Sequence, residues 1–322
     1  MTVYATDLAA IRGAHDRIQP HVHRTPVMTS GTLDRRAGRS LFFKCENFQR
    51  GGAFKMRGAS NAVWRLDAET ASRGIVTHSS GNHAQAVAIA ARDRGVPAHI
   101  VMPTDAPRVK RAAVEGYGAT VHPCAPTLDA RTETAANVVA QTGGTLIPPY
   151  DHPDVIAGQG TIALELLAQV DALDAVVVPV GGGGMIAGIT LALREAAPHV
   201  RVFAAEPAGA DDAARGKAAG ERVERHTPDT IADGLRTTLG ELTWPVVRDC
   251  VEEVLVVPEL AIVPAMKLVF ERMKLVIEPS AAVGLAAVLS SRFRGLGGLE
   301  RVGVVLCGGN VDLDALPWIR RR

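Results

Sequence analysis

The sequence predicts an α/β protein of two lobes, each an open, mostly parallel sheet flanked by helices. Apolar strand patterns alternate with helical patterns along most of the 322 residues, the order that parallel sheets covered on both faces produce. Glycine-bearing turns directly follow several of those strands. The stretch Pro148-Pro149-Tyr150-Asp151-His152-Pro153 interrupts the alternation, and Glu69–Gly74 is a softer break. Between them, residues 69–148 read as a small inserted α/β domain, with 1–68 and 149–322 forming the large one. A cleft then separates the lobes.

In chain order, a short strand over Leu41–Phe43 runs into a turn holding Gly51 and Gly52, and a helix opens around Phe54. Strands follow at Gly74–Thr77, His99–Met102 and Thr120–His122. Helical patterns over Asn82–Arg94, Pro107–Tyr117 and Leu128–Gln141 come after them. Further strands are expected at Ala175–Val180, Arg201–Ala205, Glu253–Val257 and Val302–Leu306. The uncharged stretch Ala175–Leu193 approaches the length of a membrane span. Pro179 and the glycines behind it break that stretch, so it reads as a buried strand, a tight loop and a buried helix.

Formal charge is +1 with both signs interspersed, which supplies no basic field for nucleic acid or an anionic membrane. Cys45, Cys124, Cys250 and Cys307 are scattered, without metal spacing or a disulfide framework. A reducing cytoplasm is the natural setting. The N-terminal segment, with Asp7 and Arg12 in an amphipathic pattern, is not a signal peptide.

Two features carry chemistry. Lys55 lies at the mouth of a strand-turn-helix unit, with Arg50 and Arg57 close in sequence. A lysine near other cations and partly desolvated gives up its proton more easily, as a lysine nucleophile requires; an ordinary solvated lysine is the plainer alternative. The second is Val176–Val180 followed by Gly181, Gly182, Gly183, Gly184 and Met185. Backbone N–H groups in such a loop converge on a phosphate, assisted by the positive end of the helix that follows.

No Lys-Ser/Thr pair follows those glycines, which excludes a Walker-type loop. Gly182, Gly184 and Ala187 satisfy G-x-G-x-x-A, and Glu206 ends the next strand where a ribose-binding acid is expected. On spacing alone an NAD-binding oxidoreductase stays open. Two more loops weigh against it, Thr77-His78-Ser79-Ser80-Gly81-Asn82-His83 and Cys307-Gly308-Gly309-Asn310. Both end strands, where ligands gather in open α/β sheets. With Lys55 they describe one shared site.

Together these segments resemble the serine/threonine dehydratase and serine racemase family of pyridoxal phosphate enzymes, which has the tryptophan-synthase-β-like type II fold. The resemblance runs from His23-Arg24-Thr25-Pro26, through the Lys55 stretch, Ser79–His83 and the glycine loop, to Glu278-Pro279-Ser280 and Cys307–Asn310. It implies that Lys55 carries the cofactor and removes the substrate Cα proton. It implies also that Gly181–Gly184 and Met185 bind the phosphate, Phe54 packs near the ring, Asn82 bonds the ring hydroxyl, and Glu278 lines the cofactor site. Cys307 would face the pyridine nitrogen. A neutral thiol there leaves that nitrogen largely unprotonated, which favours prompt loss of a β-hydroxyl.

The resemblance places Ser80 across the cofactor from Lys55, as racemisation requires, although a helix N-cap serine is an equal reading. Ser79, Asn82, His83 and Arg131 would meet the substrate. Arg131 offers a fork for a second carboxylate, but Asp129 and Glu133 nearby make a surface ion pair the plainer expectation. His152 is a further cleft-lining candidate. The pattern Glu206-Pro207-Ala208-Gly209-Ala210-Asp211-Asp212 implies a structural Mg²⁺, Mn²⁺ or Ca²⁺ held by Glu206, Asp212 and the Ala210 carbonyl; an acidic turn before a helix is the alternative.

The expected activity is therefore dehydration and deamination of a β-hydroxy amino acid (L-threonine, L-serine or L-threo-3-hydroxyaspartate) to a 2-oxo acid and ammonia. Serine racemisation is the alternative, and a non-catalytic amino-acid-binding relative a more remote one. The resemblance also implies a homodimer. The chain ends at Arg322, soon after the last motif, so isoleucine feedback through an appended regulatory domain is not expected.

Overall fold

A computed structural model describes residues 3–106 and 108–319. It opens with α1 (Leu8–Ile18), β1 (Val27–Met28), α2 (Gly31–Ala37), β2 (Ser40–Cys45), α3 (Lys55–Arg65) and α4 (Ala68–Ser72). The middle runs β3 (Ile75–His78), α5 (Asn82–Arg94), β4 (Ala98–Pro103), α6 (Arg108–Gly116), β5 (Thr120–Cys124), α7 (Leu128–Thr142) and β6 (Thr145–Leu146). Then come α8 (Pro153–Leu167), β7 (Ala175–Pro179), α9 (Gly184–Ala196), β8 (Arg201–Pro207), α10 (Asp212–Ala219) and α11 (Trp244–Cys250). The chain closes with β9 (Glu253–Val257), α12 (Glu259–Met273), α13 (Pro279–Leu289), α14 (Ser291–Arg294) and β10 (Arg301–Leu306).

The strands form two sheets. Four parallel strands take the order β5-β4-β3-β6, and six take the order β1-β2-β10-β7-β8-β9. Within the larger sheet only β1 runs antiparallel to its neighbour. Val176, Val177 and Val178 are fully buried, as expected of a central strand covered on both faces.

The position of β10 matters most for function. The last strand inserts between β2 and β7, pairing Val302 with Leu41 on one side and Ala175 on the other. Because all three run parallel, the turn before α3, the loop after β10 and the glycine loop emerge side by side at one sheet edge.

Helix α3 links the two cores. Met56, Ala59, Ala62 and Val63 pack with Ile75, Ala84, Val87 and Val155 beside the four-stranded sheet. Its other face lies on α8 so closely that a Cβ on Gly158 would stand 2.6 Å from the Arg57 carbonyl. From that face Arg57 forks between two carboxylates, with Nε 2.8 Å from Glu46 and Nη1 2.7 Å from Glu165. Lys44 completes the buried set at 2.6 Å from Glu165.

The expected strands and helices all occur, with ends shifted by a residue or two. The expected helix start at Pro107 lies outside the described residues. The strands β1 and β6 were not anticipated, because two residues carry no periodicity. Ala175–Leu193 is β7, the glycine loop and most of α9, and no helix among the described residues is long and apolar enough to cross a membrane.

Candidate active site

Lys55 is the first residue of α3, and the turn before it is stitched to the loop after β10. The Phe54 N–H donates to the Cys307 carbonyl at 3.0 Å, and the Gly309 N–H to the Gly52 carbonyl at 2.9 Å. Lys55 Nζ donates to the Pro149 carbonyl at 2.6 Å and lies 5.1 Å from the centre of the Phe54 ring. Burial pulls its pKa down to about 8, against the opposing influence of Cys307 and Glu278.

The expected help from Arg50 and Arg57 is not what lowers it. Arg57 is spent on Glu46 and Glu165, and Arg50 pairs with Asp93 at 2.6 Å. Residues two apart on a helix point to nearly opposite sides, which separates Arg57 from Lys55. Desolvation acts instead.

The glycine loop is a close approach of three segments. A Cβ on Gly182 would fall within the Tyr150 ring. Gly183 has φ +87, and a Cβ there would stand 2.6 Å from Thr243 Oγ1. The Thr243 hydroxyl donates to the Gly182 carbonyl at 2.8 Å. Asp151 secures the same segment by accepting the Glu241 and Leu242 N–H groups at 3.0 and 2.9 Å. Among the described residues no backbone acceptor takes the N–H groups of Gly181, Gly182 or Gly183. Those of Gly184 and Met185, in the first turn of α9, lack intrahelical partners as at any helix start. This acceptor-free cradle at a helix N-terminus fits a phosphate.

Asn82 opens α5 and faces both neighbouring loops. Its Nδ2 donates to the Glu278 carboxylate at 3.0 and 3.1 Å, and its Oδ1 accepts from Asn310 Nδ2 at 2.9 Å. Burial pushes Glu278 up to about 7, eased by the Asn82 bond and raised again by Asp233. Burial and the Glu278 charge hold the Cys307 thiol well above its ordinary value, so it is neutral at physiological pH.

Ser79 accepts the Gly81 N–H at 3.3 Å. Ser80 is not the helix cap: Gly81 takes that position, without any side-chain cap bond. His83 is buried, and its Nε2 lies 3.0 Å from the Ile147 carbonyl. Burial and the Lys55 charge depress its pKa to about 3, so it stays neutral.

Arg131 makes no ion pair with Asp129 or Glu133 among the described residues, contrary to the plainer expectation. Its buried Nε has no partner, and its charge adds to burial in lowering the His78 pKa at the end of β3. His152 belongs elsewhere. It caps α8, accepting the Asp154 N–H at 3.2 Å, and lines a separate groove with Tyr4, Arg194 and Cys250.

Beyond β8, Glu206 and Asp212 are buried at 1% and 2% exposure. The Glu206 carboxylate accepts the Ala213 and Ala214 N–H groups, each at 3.0 Å. Burial pushes it up to about 8, with Asp212 adding to the rise. Burial raises Asp212 too, and its Oδ1 lies 3.2 Å from His226 Nδ1. Among the described residues no three His, Cys, Asp or Glu side chains form a metal-binding group. Two buried carboxylates whose pKa values are raised nevertheless suit a hard cation completed by water. Glu206 faces the amides of α10, not the glycine loop, so it is not placed as a ribose acid.

Several residues of the site carried no legible signal. The Pro149 carbonyl, Tyr150 and Asp151 lie in the stretch read only as a boundary, and Thr243 sits in an unpatterned segment. Asn310 ends the Cys307 motif, and only the fold brings it to the Gly51 carbonyl and Asn82.

Comparison with known proteins identifies the family. Residues 18–308 match the model of the family described as pyridoxal-phosphate dependent enzyme. A serine racemase of Arabidopsis thaliana is 54% identical over 316 residues, covering 97% of this chain and 96% of that protein. A beta-hydroxyaspartate dehydratase of Paracoccus denitrificans (strain Pd 1222) is 52% identical over 305 residues, covering 95% and 96%. The structure of maize serine racemase superposes with a TM-score of 0.95 at 51% identity, covering 96% of this chain and 95% of that one.

Proposed function

The chain belongs to the pyridoxal-phosphate dependent enzyme family, and we propose that it dehydrates and deaminates β-hydroxy amino acids to 2-oxo acids and ammonia. The observation that carries this reading is Lys55 itself: an amine with a pKa near 8 beside a neutral Cys307 thiol, with an acceptor-free glycine cradle on the neighbouring strand. Bound pyridoxal phosphate supplies the electron sink for charge developing at the substrate Cα. Lys55 holds the cofactor and takes the Cα proton. Gly181–Gly184 and Met185 would hold the phosphate, Phe54 would flank the ring, and Asn82, held by Glu278 and Asn310, would meet the ring hydroxyl. Cys307, neutral at physiological pH, would be a weak partner for the ring nitrogen, a pairing that would favour elimination over transamination.

Ser79, Ser80, Asn82 and His83 would hold the substrate on the α5 side. Arg131, half-buried and without an ion-pair partner among the described residues, supports a substrate with a second carboxylate. L-threo-3-hydroxyaspartate is therefore placed ahead of L-serine and L-threonine. The dehydratase relative is consistent with this choice.

Serine racemisation is the second reading. Ser80, free of any capping role, is the observation that favours it, since reprotonation on the opposite face needs a donor there. Glu206, Asp212 and the Ala210 carbonyl would hold a structural divalent cation. The large lobe would comprise 1–68 and 149–322 with 69–148 inserted, and the protein would act as a cytoplasmic homodimer, which the family resemblance and the dispersed cysteines support.

The test is 2-oxo acid release from L-threo-3-hydroxyaspartate, L-serine and L-threonine, side by side with pyridoxal phosphate and Mg²⁺. Preference for hydroxyaspartate that Arg131→Ala removes is the expected result. Preference for serine or threonine, unchanged by that substitution, would reject the dicarboxylate assignment.

A further inference from the structure

Three consecutive residues ahead of α8 each touch a different part of the site. The Pro149 carbonyl accepts the Lys55 amine at 2.6 Å. The Tyr150 ring fills the space that a Cβ on Gly182 would need, and a Cβ on Gly184 would stand 2.9 Å from the Tyr150 carbonyl oxygen. Asp151 reaches a third segment, its two carboxylate oxygens accepting the Glu241 and Leu242 N–H groups at 3.0 and 2.9 Å. The turn held in this way leads back to the glycine cradle. Its Gly240 N–H donates to Thr243 Oγ1 at 2.9 Å, and the Thr243 hydroxyl donates to the Gly182 carbonyl at 2.8 Å. The joint has no slack, since a Cβ on Gly240 would collide with the Asp151 carboxylate.

We propose that Asp151 is a positioning residue whose carboxylate aligns the Lys55 acceptor and the phosphate cradle together; the proposal rests on the cofactor assignment above. Among the described residues Asp151 makes no hydrogen bond to Lys55 or to the glycine loop, so it acts through Pro149 on one side and Thr243 on the other. Bonds from N–H groups to a carboxylate are charge-assisted and stronger than those between neutral partners. Groups that meet a ligand keep their productive geometry only when the bonds behind them are fixed. An asparagine in this place offers one acceptor oxygen and turns an N–H group towards a second donor, which loosens the joint with little change of shape. The competing role is purely structural, a carboxylate that steadies the approach to α11.

The experiment uses the full chain freed of cofactor and two probes, one for each end of the joint. Inorganic phosphate, titrated by calorimetry, reads the cradle. Pyridoxal, which lacks the phosphate, reads the lysine through the rate at which its borohydride-reduced adduct appears on the Lys55 peptide. Asp151→Asn should lose at least about tenfold in both phosphate affinity and pyridoxal addition, whereas Thr243→Val should weaken phosphate alone. A folded Asp151→Asn with unchanged values, or with a loss at only one end, would overturn the proposal and leave the cofactor assignment standing. If that variant does not fold, amide exchange in wild type decides. Phosphate should then slow exchange at Glu241 and Leu242 together with the glycine loop, and slowing confined to the loop would overturn the proposal. A wild type that takes up neither phosphate nor pyridoxal at Lys55 would overturn the cofactor assignment with it.

Discussion

The Lys55 amine donates a 2.6 Å hydrogen bond to the Pro149 carbonyl, joining the first turn of α3 to the segment that leads into α8. Burial at this junction lowers the amine pKa from 10.5 to about 8, so the unprotonated nucleophile prevails above about pH 8. Covalent uptake of pyridoxal phosphate by the cofactor-free protein should therefore accelerate as pH rises through about 8 and then level off, followed by visible absorbance. A rise that begins only near pH 10.5 would show an ordinary, solvated lysine.

Ser80 precedes the cap of α5 and caps nothing. Ser80→Ala should slow racemisation of L-serine at least about tenfold while sparing dehydration of the same substrate, since a general acid–base contribution is typically 10²–10⁴-fold. Polarimetry and 2-oxo acid release on one sample compare the two. Equal loss of both would remove the two-face argument.

Arg57 bridges Glu46 and Glu165 with no exposure to solvent. Arg57→Met leaves two buried carboxylates with Lys44 as their remaining cation and should cost about 3–5 kcal/mol. The exposed Arg65–Asp154 pair is the control, since Arg65→Met should cost less than about 1 kcal/mol. Urea denaturation of the two variants measures the difference. Equal midpoints would mean that the buried set does not hold α3 in place.

Gly182 is blocked by the Tyr150 ring. Gly182→Ala should lower cofactor occupancy at least about tenfold by displacing the loop, as misplacement of a positioning group typically does. Adding Tyr150→Ala should restore part of it by clearing the ring from the Cβ position. Fluorescence titration with pyridoxal phosphate reads both, and no recovery in the double variant would put the effect elsewhere.

The strands were legible because central parallel strands are apolar on both faces, as Val176–Val178 are, and the helices because their apolar spacing persists over several turns. The glycine loop, Lys55 and the Asn82 turn stood out because each is a local pattern. Contacts that depend on sheet order were not legible. Glu165 lies 108 residues from Arg57, and only the insertion of β10 between β2 and β7 brings Cys307 beside Phe54. The proximity of Arg50 and Arg57 to Lys55 in sequence misled for the same reason, since helix geometry turns Arg57 away. Arg131 looked like half of a surface pair until α7 placed it near His78.

The most direct test of the central claim compares wild type with Lys55→Ala for 2-oxo acid release from L-threo-3-hydroxyaspartate, with pyridoxal phosphate binding measured in parallel. The account predicts that the variant still binds the cofactor through the glycine cradle but releases no 2-oxo acid above background. Turnover by Lys55→Ala at the wild-type rate would contradict it.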